Sequence, residues 1–488
     1  MKVLFYYNGA EHIGVEHLSS YLKSKGHQVD LIFDPGLGNN FFLNLPFLNK
    51  FISDELLVKR ARKFNPDIIA FSCITNSYSV IKKVAKKLKK ALNVPIIIGG
   101  IHPTSVPEDV IKEDCFDILC VGEGEEAFAE LLEGMEKKQD IGAIKNLWVK
   151  DKNGEIHKNE LRPLLKDLDK MPFADKSIFY QYGVINSRIM VMTGRGCPFQ
   201  CTFCVNSFKK GLYPGQSYLR RRSVDNVIEE LIALKNKYKP KAFRFEDDTF
   251  TYDLNWLKEF RPKYLKYINL PFHCYVTPST AADGILEEIK LAGCQSVSMG
   301  VQSGDQQIRT KILKRHHTDE DIIAAAERIK KYKLKLISEF IFGFPTETPK
   351  EMWKSLELNG KLKAYNTASF IFYPFPKTEL AEYCLKNGYL SEEKYELIKQ
   401  GYGSYHLTCL LEHPYEDDVY KFNSILPVYN KAPKILKPFL RKILKMKYGI
   451  IHKFIYLFSI PLIDFDEFLI RIIDMPKMII KTRKILNS

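Results

Sequence analysis

Apolar residues in the first 137 positions come in short runs, "KVLFYY", "VDLIF", "DIIAFSC", "VPIIIGG" and "FDILCVG", set apart by polar and glycine-bearing stretches. Between them apolar positions recur at helical spacing, most clearly in "GVEHLSSYLKSKG" and "NSYSVIKKVAKKLKKALN". Short unbroken apolar runs read as strands covered on both faces, and amphipathic stretches as the helices that cover them. Five such βα units predict a doubly wound parallel sheet, whose ligands sit beyond the carboxyl ends of the strands. From about Gln139 to Ser187 the rhythm is lost. There "VKDKNGEIHKNE" predicts a hairpin about Asn153-Gly154 and "RPLLKDLDKMPFAD" an extended connection. A second series follows, "RIMVMTG", "KAFRFED", "PFHCYV", "SVSMGVQ", "LKLISEFIFG" and "ASFIFYPF", with helices such as "SVDNVIEELIALKNKY" and "TDEDIIAAAERIKKY" between. Six βα repeats without a second winding predict a partial (β/α)6 barrel, with its chemistry at the C-terminal strand ends. The expected organisation is α/β: a sheet domain over 1–138, a linker over 139–187, the barrel over 188–390 and a helical region over 391–488.

The ten cysteines of this 488-residue chain are too few and too scattered for a disulfide framework, which points to a reducing, cytoplasmic setting. "MKVLFYYNGAEH" lacks the long apolar core of a signal peptide, so no export is expected. The net charge of +15 is unevenly placed: from Lys431 to the end 13 Lys and Arg face 4 Asp and Glu, a balance of +9 in 58 residues. The other 430 residues carry +6 and no helix-turn-helix, zinc-finger or RNA-binding signature, so no nucleic-acid partner is expected.

Three of the ten cysteines stand together in "GRGCPFQCTFCVNSF", at Cys197, Cys201 and Cys204, directly after the first barrel strand. Thiolates bind zinc or iron–sulfur clusters. A structural zinc site needs four ligands, and no Cys or His follows within thirty residues. Three thiolates on a four-iron cluster leave one iron open to a substrate or cofactor; zinc completed by a distant His, or three unrelated core thiols, are the alternatives. In the first sheet the strand ends carry Asn8-Gly9, Ser72, Gly99-Gly100 and Gly122-Glu123-Gly124. Such residues serve close ligand approach or tight βα turns equally well.

The spacing Cys-x3-Cys-x-aromatic-Cys, here Cys197, Cys201, Phe203 and Cys204, resembles the signature of radical S-adenosylmethionine (radical SAM) enzymes. The resemblance runs through roughly the first 390 residues. It implies that the three thiolates hold a [4Fe–4S] cluster whose fourth iron binds SAM, and that Phe203 lies near the adenine. "FRFEDDTF" is similar to the strand end whose acids hold the SAM amino group, which implies Glu246, Asp247 or Asp248. "GVQSGDQQIRTKILKR" is similar to the ribose motif, which implies Gln302 and Ser303, with Gln302 where many relatives have Glu. "FIFGFPTETPKEM" resembles the Gly-x-Pro-x-Glu-Thr loop around Gly343, Pro345 and Glu347.

The N-terminal half resembles the cobalamin-binding domain of one branch of that family, a Rossmann-like fold, through "FNPDIIAFSCITNSYSVIKKVAKKLKK", "VPIIIGGIHPTSVPEDVI" and "FDILCVGEGEEAFAELL". The resemblance implies that Ser72 and Thr75 lie near the corrin and nucleotide loop, Gly99 and Gly100 near the benzimidazole tail, and Gly122 and Gly124 at the closing edge. One departure stands out. The cobalt-ligating Asp-x-His-x-x-Gly motif is absent, since "NGAEHIGVEH" places His12 two residues before Gly14 and lacks the aspartate. His102 in "GGIHPT" is expected to be a turn element and Cys409 a buried thiol.

The implied activity is cobalamin-dependent methyl transfer to an unactivated carbon of a small or lipid-like substrate, served by a reductant such as flavodoxin or ferredoxin. A ring-forming or rearranging radical SAM enzyme, and a cobalamin- and redox-sensing regulator, are the alternatives. The retained SAM motifs count against a sensor.

In the basic tail Ile435, Leu436, Phe439, Leu440, Ile443 and Leu444 recur at helical spacing, with Lys434, Lys437, Arg441, Lys442 and Lys445 between them. The apolar run "FIYLFSIPLI" is ten residues long, too short for the roughly twenty that span a bilayer. The pattern fits a helix lying in the headgroup plane, or one that packs its apolar side on the barrel.

Overall fold

The computed structural model describes residues 1–36, 39–40, 43–44, 53–184, 187–463 and 478–486. The five apolar runs of the first series form β1 (Lys2–Asn8), β2 (Gln28–Asp34), β3 (Ile68–Ser72), β4 (Ile96–Gly99) and β5 (Ile118–Cys120). They lie in the order β2-β1-β3-β4-β5, all parallel, with Lys2 opposite Gln28 and Asn8 opposite Asp34 in the first pair. Winding reverses between β1 and β3, and that reversal opens a crevice beyond the strand ends. Both faces are covered, which is why the runs are continuous. Val3, Phe5 and Tyr7 join Val15, Leu22, Phe128 and Leu131 on one side, while Leu4 and Tyr6 join Tyr78, Ile81, Ala85 and Leu88 on the other.

The hairpin read from Asn153-Gly154 is present as β6 (Leu147–Lys150) and β7 (Ile156–Lys158), and it does more than connect. β6 pairs antiparallel with β5, so the hairpin extends the first sheet to seven strands. Leu147 and Val149 are buried on one face and Trp148 packs on the other, an alternation that the polar surroundings hid. The rest of the connection is equally docked: Phe179 meets Phe33 edge-on at 5.6 Å, and Tyr182 donates its hydroxyl hydrogen to the Leu31 carbonyl.

The second series forms β8 (Arg188–Val191), β9 (Ala242–Phe245), β10 (Phe272–Val276), β11 (Cys294–Gln302), β12 (Lys335–Phe342) and β13 (Asn366–Ile371). They pair in sequential order, all parallel. That is the partial barrel expected. Its outer helices start on local signals, such as the reciprocal caps Thr318 with Asp321 and Thr348 with Glu351. The barrel core and one face of the first sheet form a single apolar cluster.

Beyond β13 the described chain is helical, through Glu379–Lys386, Glu392–Lys399, Glu416–Lys431, Lys437–Lys445 and Ile450–Ile463. The Glu416–Lys431 helix lies along β13, where Ser369 donates to the Asn423 carbonyl at 2.7 Å. Among the described residues no helix is long and apolar enough to cross a membrane.

Candidate functional site

The cysteine loop leaves the end of β8 and is closed at its base by two residues, Gly194-Arg195 pairing antiparallel with Arg220-Arg221. Only glycine fits at the neck: a Cβ on Gly196, whose φ is +91°, would stand 2.4 Å from the Tyr218 carbonyl oxygen. The loop is pinned from several sides. Thr202 donates to the Ile312 carbonyl at 2.6 Å, Ser207 to the Cys201 carbonyl at 2.9 Å, and Arg315 bridges Cys201 Sγ at 3.4 Å and the Gly300 carbonyl at 2.6 Å. Cys197 Sγ stands 3.5 Å from Thr249 Oγ1.

Cys201 is buried and Cys197 and Cys204 are half-buried. Burial pushes the Cys204 thiol up to about 12, and the charges of Asp248, Cys201 and Cys197 push the same way. Cys197 is raised for the same reason, against a lowering bond from Thr249. Thiols that feel one another in this way bind metal with release of protons. Among the described residues no group of three His, Cys, Asp or Glu side chains is set to hold a single metal ion. A four-iron cluster takes each thiolate on a different iron and does not require that convergence.

The three acids after β9 point to three different tasks. Glu246 is paired with Arg244 and lies 3.5 Å from the Tyr275 hydroxyl. Asp247 is buried and accepts from the Thr193 backbone at 3.0 Å and the Thr193 hydroxyl at 2.7 Å, so both its oxygens brace the base of the cysteine loop. Asp248 is exposed and faces the thiols.

At the end of β11, Gln302 has φ +72°, a left-handed backbone that costs a non-glycine residue about 1 kcal/mol or more. It stands where the β11–β12 register shifts. Ser303 is fully buried and accepts from the Asp305 backbone at 3.1 Å, a loop brace. At the end of β12, Gly343 donates to Glu347 at 2.6 Å and Phe344 does so at 3.3 Å. Burial pushes Glu347 up to about 8 despite these bonds, so this carboxyl closes its own loop. Phe203 packs edge-on to Phe344 at 6.4 Å.

Facing this end of the barrel, the crevice of the first sheet opens into a cavity. Its volume is about 260 Å3. Phe71, Ser72, Gly99, Gly100, Gly122 and Gly124 line it from the sheet, and Met192, Arg195, Gly196, Tyr218 and Asp248 from the barrel. A wall so rich in glycine lets a broad, flat group lie against backbone. Not every expected residue reaches it. Thr75 is buried behind Ser72, with its hydroxyl 3.4 Å from His102 Nδ1. Gly100 lines the cavity, but it is also demanded by packing: at φ +106° a Cβ would stand 2.7 Å from the Cys73 carbonyl oxygen. His102 lies in the short helix Ile101–Ser105 and not in the turn expected; it is fully buried against the Tyr78 ring at 4.3 Å, and burial drops it to about 3, which matches a packed structural residue. Cys409 is buried, as expected of a structural thiol.

Two arginines that the sequence reading passed over lock the two halves of the cavity. Arg220 grips Glu123 with both terminal nitrogens, at 2.5 and 3.1 Å, while Arg195 reaches Glu123 at 3.2 Å and Glu125 at 2.5 Å. Burial pushes Glu123 up, but the two guanidiniums outweigh it and hold the carboxyl at about 2. The available signal was a charged residue inside the glycine-flanked "GRG".

His12 also lines the cavity. Its Nδ1 accepts from the Val15 backbone at 3.2 Å as the cap of the helix Ile13–Ser24, and burial drops it to about 4. With Nδ1 accepting, the neutral ring carries its proton on Nε2, so neither nitrogen offers a free lone pair.

Comparison with known proteins agrees with this geometry. The radical SAM superfamily matches residues 191–358 and the B12 binding domain residues 6–132. An uncharacterized methyltransferase of Pyrococcus horikoshii is 30% identical over 343 residues, covering 68% of this chain and 72% of that protein. Cytidylyl-2-hydroxyethylphosphonate methyltransferase of Streptomyces wedmorensis is 23% identical, over 78% of this chain and 79% of that one. In fold, the chain is similar to the radical SAM methyltransferase TsrM of Kitasatospora setae, with a TM-score of 0.63 and 17% identity over 78% of this chain and 76% of that one. A radical SAM domain works with a [4Fe–4S] cluster and SAM, and a B12-binding domain with cobalamin. With the cysteine loop at the barrel's catalytic end and the glycine-lined crevice opposite it, the chain belongs to the radical SAM superfamily, in the branch that carries a B12-binding domain ahead of the barrel.

Proposed function

We propose that this enzyme transfers a methyl group to an unactivated carbon of a small or lipid-like substrate, with electrons from a reductant such as flavodoxin or ferredoxin. The observation that carries the reading is the shared cavity, bounded by the sheet's Ser72, Gly99 and Gly122 on one side and the barrel's Met192, Gly196 and Asp248 on the other. When bound, the cluster and SAM supply a carbon radical and cobalamin supplies the methyl group. Two groups that would meet over one substrate carbon need one shared space, and the cavity supports that reading.

In this reading Cys197, Cys201 and Cys204 hold the cluster, and Arg315 steadies the loop through its bonds to Cys201 and Gly300. Glu246 and Asp248 would hold the SAM amino group, Phe203 would lie near the adenine, the loop at Gly343 would border SAM, and Gln302 would bind the ribose. Asp247 and Ser303 act through the loops they brace. Ser72 and, behind it, Thr75 would lie near the corrin and nucleotide loop, Gly99 and Gly100 would make room for the benzimidazole tail, and Gly122 and Gly124 would close the site. His12 would offer no free lone pair to a cobalamin bound here, because the Val15 N–H already occupies its accepting nitrogen. The methyltransferase names of the Pyrococcus and Streptomyces relatives support the transfer, while an anaerobic magnesium-protoporphyrin IX monomethyl ester cyclase of Rubrivivax gelatinosus, 23% identical over 78% of this chain, supports ring formation as the second reading.

Anaerobic protein given reductant, hydroxocobalamin and methyl-labelled SAM is expected to yield 5′-deoxyadenosine and S-adenosylhomocysteine together, both rising with cobalamin. Deoxyadenosine alone, indifferent to cobalamin, would contradict methyl transfer and favour the ring-forming alternative.

A further inference from the structure

The tail is held to the body and yet leaves a large apolar surface bare. In the helix Lys437–Lys445, Leu440, Ile443 and Leu444 are buried in the main core. In the helix Ile450–Ile463, His452 and Tyr456 are buried, and His452 Nε2 lies 3.1 Å from the Ile443 carbonyl. The packing alternative for this tail is therefore satisfied by one stripe only. Outside it, Ile435 is 84% exposed, Phe439 59%, Ile450 73% and Phe454 53%, joined by Leu436, Met446, Ile451 and Leu457. Positions 450, 451, 454 and 457 form one helical stripe. Among the described residues, no exposed Ile, Phe or Met occurs outside 435–480. The patch is thus a local feature and not the ordinary scatter of surface apolar groups.

Its charge has one sign. Between Lys431 and Ile463 there are eight Lys and Arg and no Asp or Glu. Three of the eight are engaged with aromatic rings: Lys431 over Tyr365, Lys437 over Tyr429 and Arg441 over Trp353. Lys434, Lys442, Lys445, Lys447 and Lys453 are exposed around the apolar stripe. Beneath the stripe a cavity of about 430 Å3 opens between Ile450, Phe454 and Leu457 on the helix and His406, Tyr420 and Tyr456 inside.

From the bare apolar stripe, the lysines around it and the cavity beneath it, we infer that this face docks on an anionic lipid bilayer. An apolar wedge ringed by cations matches such a surface in both layers at once: Ile and Phe enter the acyl boundary while the lysines meet phosphate headgroups. The cavity gives the end of a lipid chain a place to enter between the helix and the body. The contact inferred is peripheral, since among the described residues neither helix is long enough to span. The inference does not rest on the methyl-transfer reading.

The test is sedimentation of the full chain with phosphatidylcholine vesicles, with and without phosphatidylglycerol, at low and high salt. The native chain is expected to bind only the anionic vesicles and to lose affinity as salt screens the lysines. Two triple variants are compared, Phe439→Ser with Ile450→Ser and Phe454→Ser, and Lys442→Glu with Lys445→Glu and Lys453→Glu. Each changes only exposed side chains, and unchanged circular dichroism reports that the fold is kept. Each is expected to weaken binding by at least about tenfold. Native chain that stays in the lipid-free fraction, or binding unmoved by either variant, would overturn the inference. So would light scattering that shows a dimer broken by the first variant without lipid binding, because the face would then belong to a second copy.

Discussion

Replacing Cys197, Cys201 or Cys204 by Ala, one at a time, is expected to remove the [4Fe–4S] cluster and with it all reductive cleavage of SAM. The expectation rests on number and on anchoring. Three thiolates leave no spare ligand in the loop, and the other seven cysteines are buried. The loop itself should survive the change, because its shape depends on Thr202, Ser207 and the Gly194–Arg221 ladder and not on sulfur. Loss of cluster absorbance with unchanged circular dichroism is the expected pattern. Cys294→Ala is the control: its thiol lies 4.0 Å from Cys274 in the barrel wall, and the cluster should be retained. A cluster signal that persists in all three loop variants would contradict the assignment.

The largest effect on stability is expected at Lys176. Its side chain is 1% exposed and lies 2.5 Å from Glu16 and 2.9 Å from Glu11, which are 0% and 6% exposed. The two carboxylates facing Lys176 keep it protonated despite burial, while burial already pushes Glu16 upward. Lys176→Met leaves two carboxylates facing each other without a cation. Breaking one partner out of such a group costs about 3–5 kcal/mol, and in a chain of 488 residues a loss of that size lowers the melting temperature by about 3–5 °C. The pH dependence has a definite sign. Glu16, whose folded pKa is raised, binds its proton more tightly in the native state, so the deficit should grow as pH rises through its range. Adding Glu11→Gln and Glu16→Gln should restore most of the loss. A melting temperature no lower than that of the exposed Lys170→Met variant would show that the cluster does not hold the connection to the first sheet.

How much of this was legible in the chain follows from what each signal depends on. The eleven strands of the two parallel series were visible because strands buried on both faces leave unbroken apolar runs, as in Ile68–Ser72, whose five residues are all buried. The cysteine loop was visible because its ligands are adjacent in sequence. What failed to show depends on residues far apart. β6 alternates so briefly that only its pairing with β5 identifies it as part of the sheet. Asp247 stands in the right motif, yet its neighbour Thr193, 54 positions away, turns it into a brace. Arg195, Arg220 and Lys176 act through partners between 70 and 165 positions distant, and a charge carries no mark of its partner in sequence. The tail's two faces were legible as a pattern, but which face is buried depends on the Glu416–Lys431 helix beneath it.

That one cavity brings both metal cofactors together is tested most directly by electron paramagnetic resonance on protein loaded with cluster and cob(II)alamin. Each centre is recorded alone and then with the cluster reduced. If the crevice lined by Ser72, Gly99 and Gly122 seats cobalamin opposite the loop of Cys197, Cys201 and Cys204, the two spins are close enough to couple. The cob(II)alamin signal should then broaden or split on reduction of the cluster, and should narrow again in Cys204→Ala. Two spectra that simply add, with neither altered by the other's presence, would contradict the shared site.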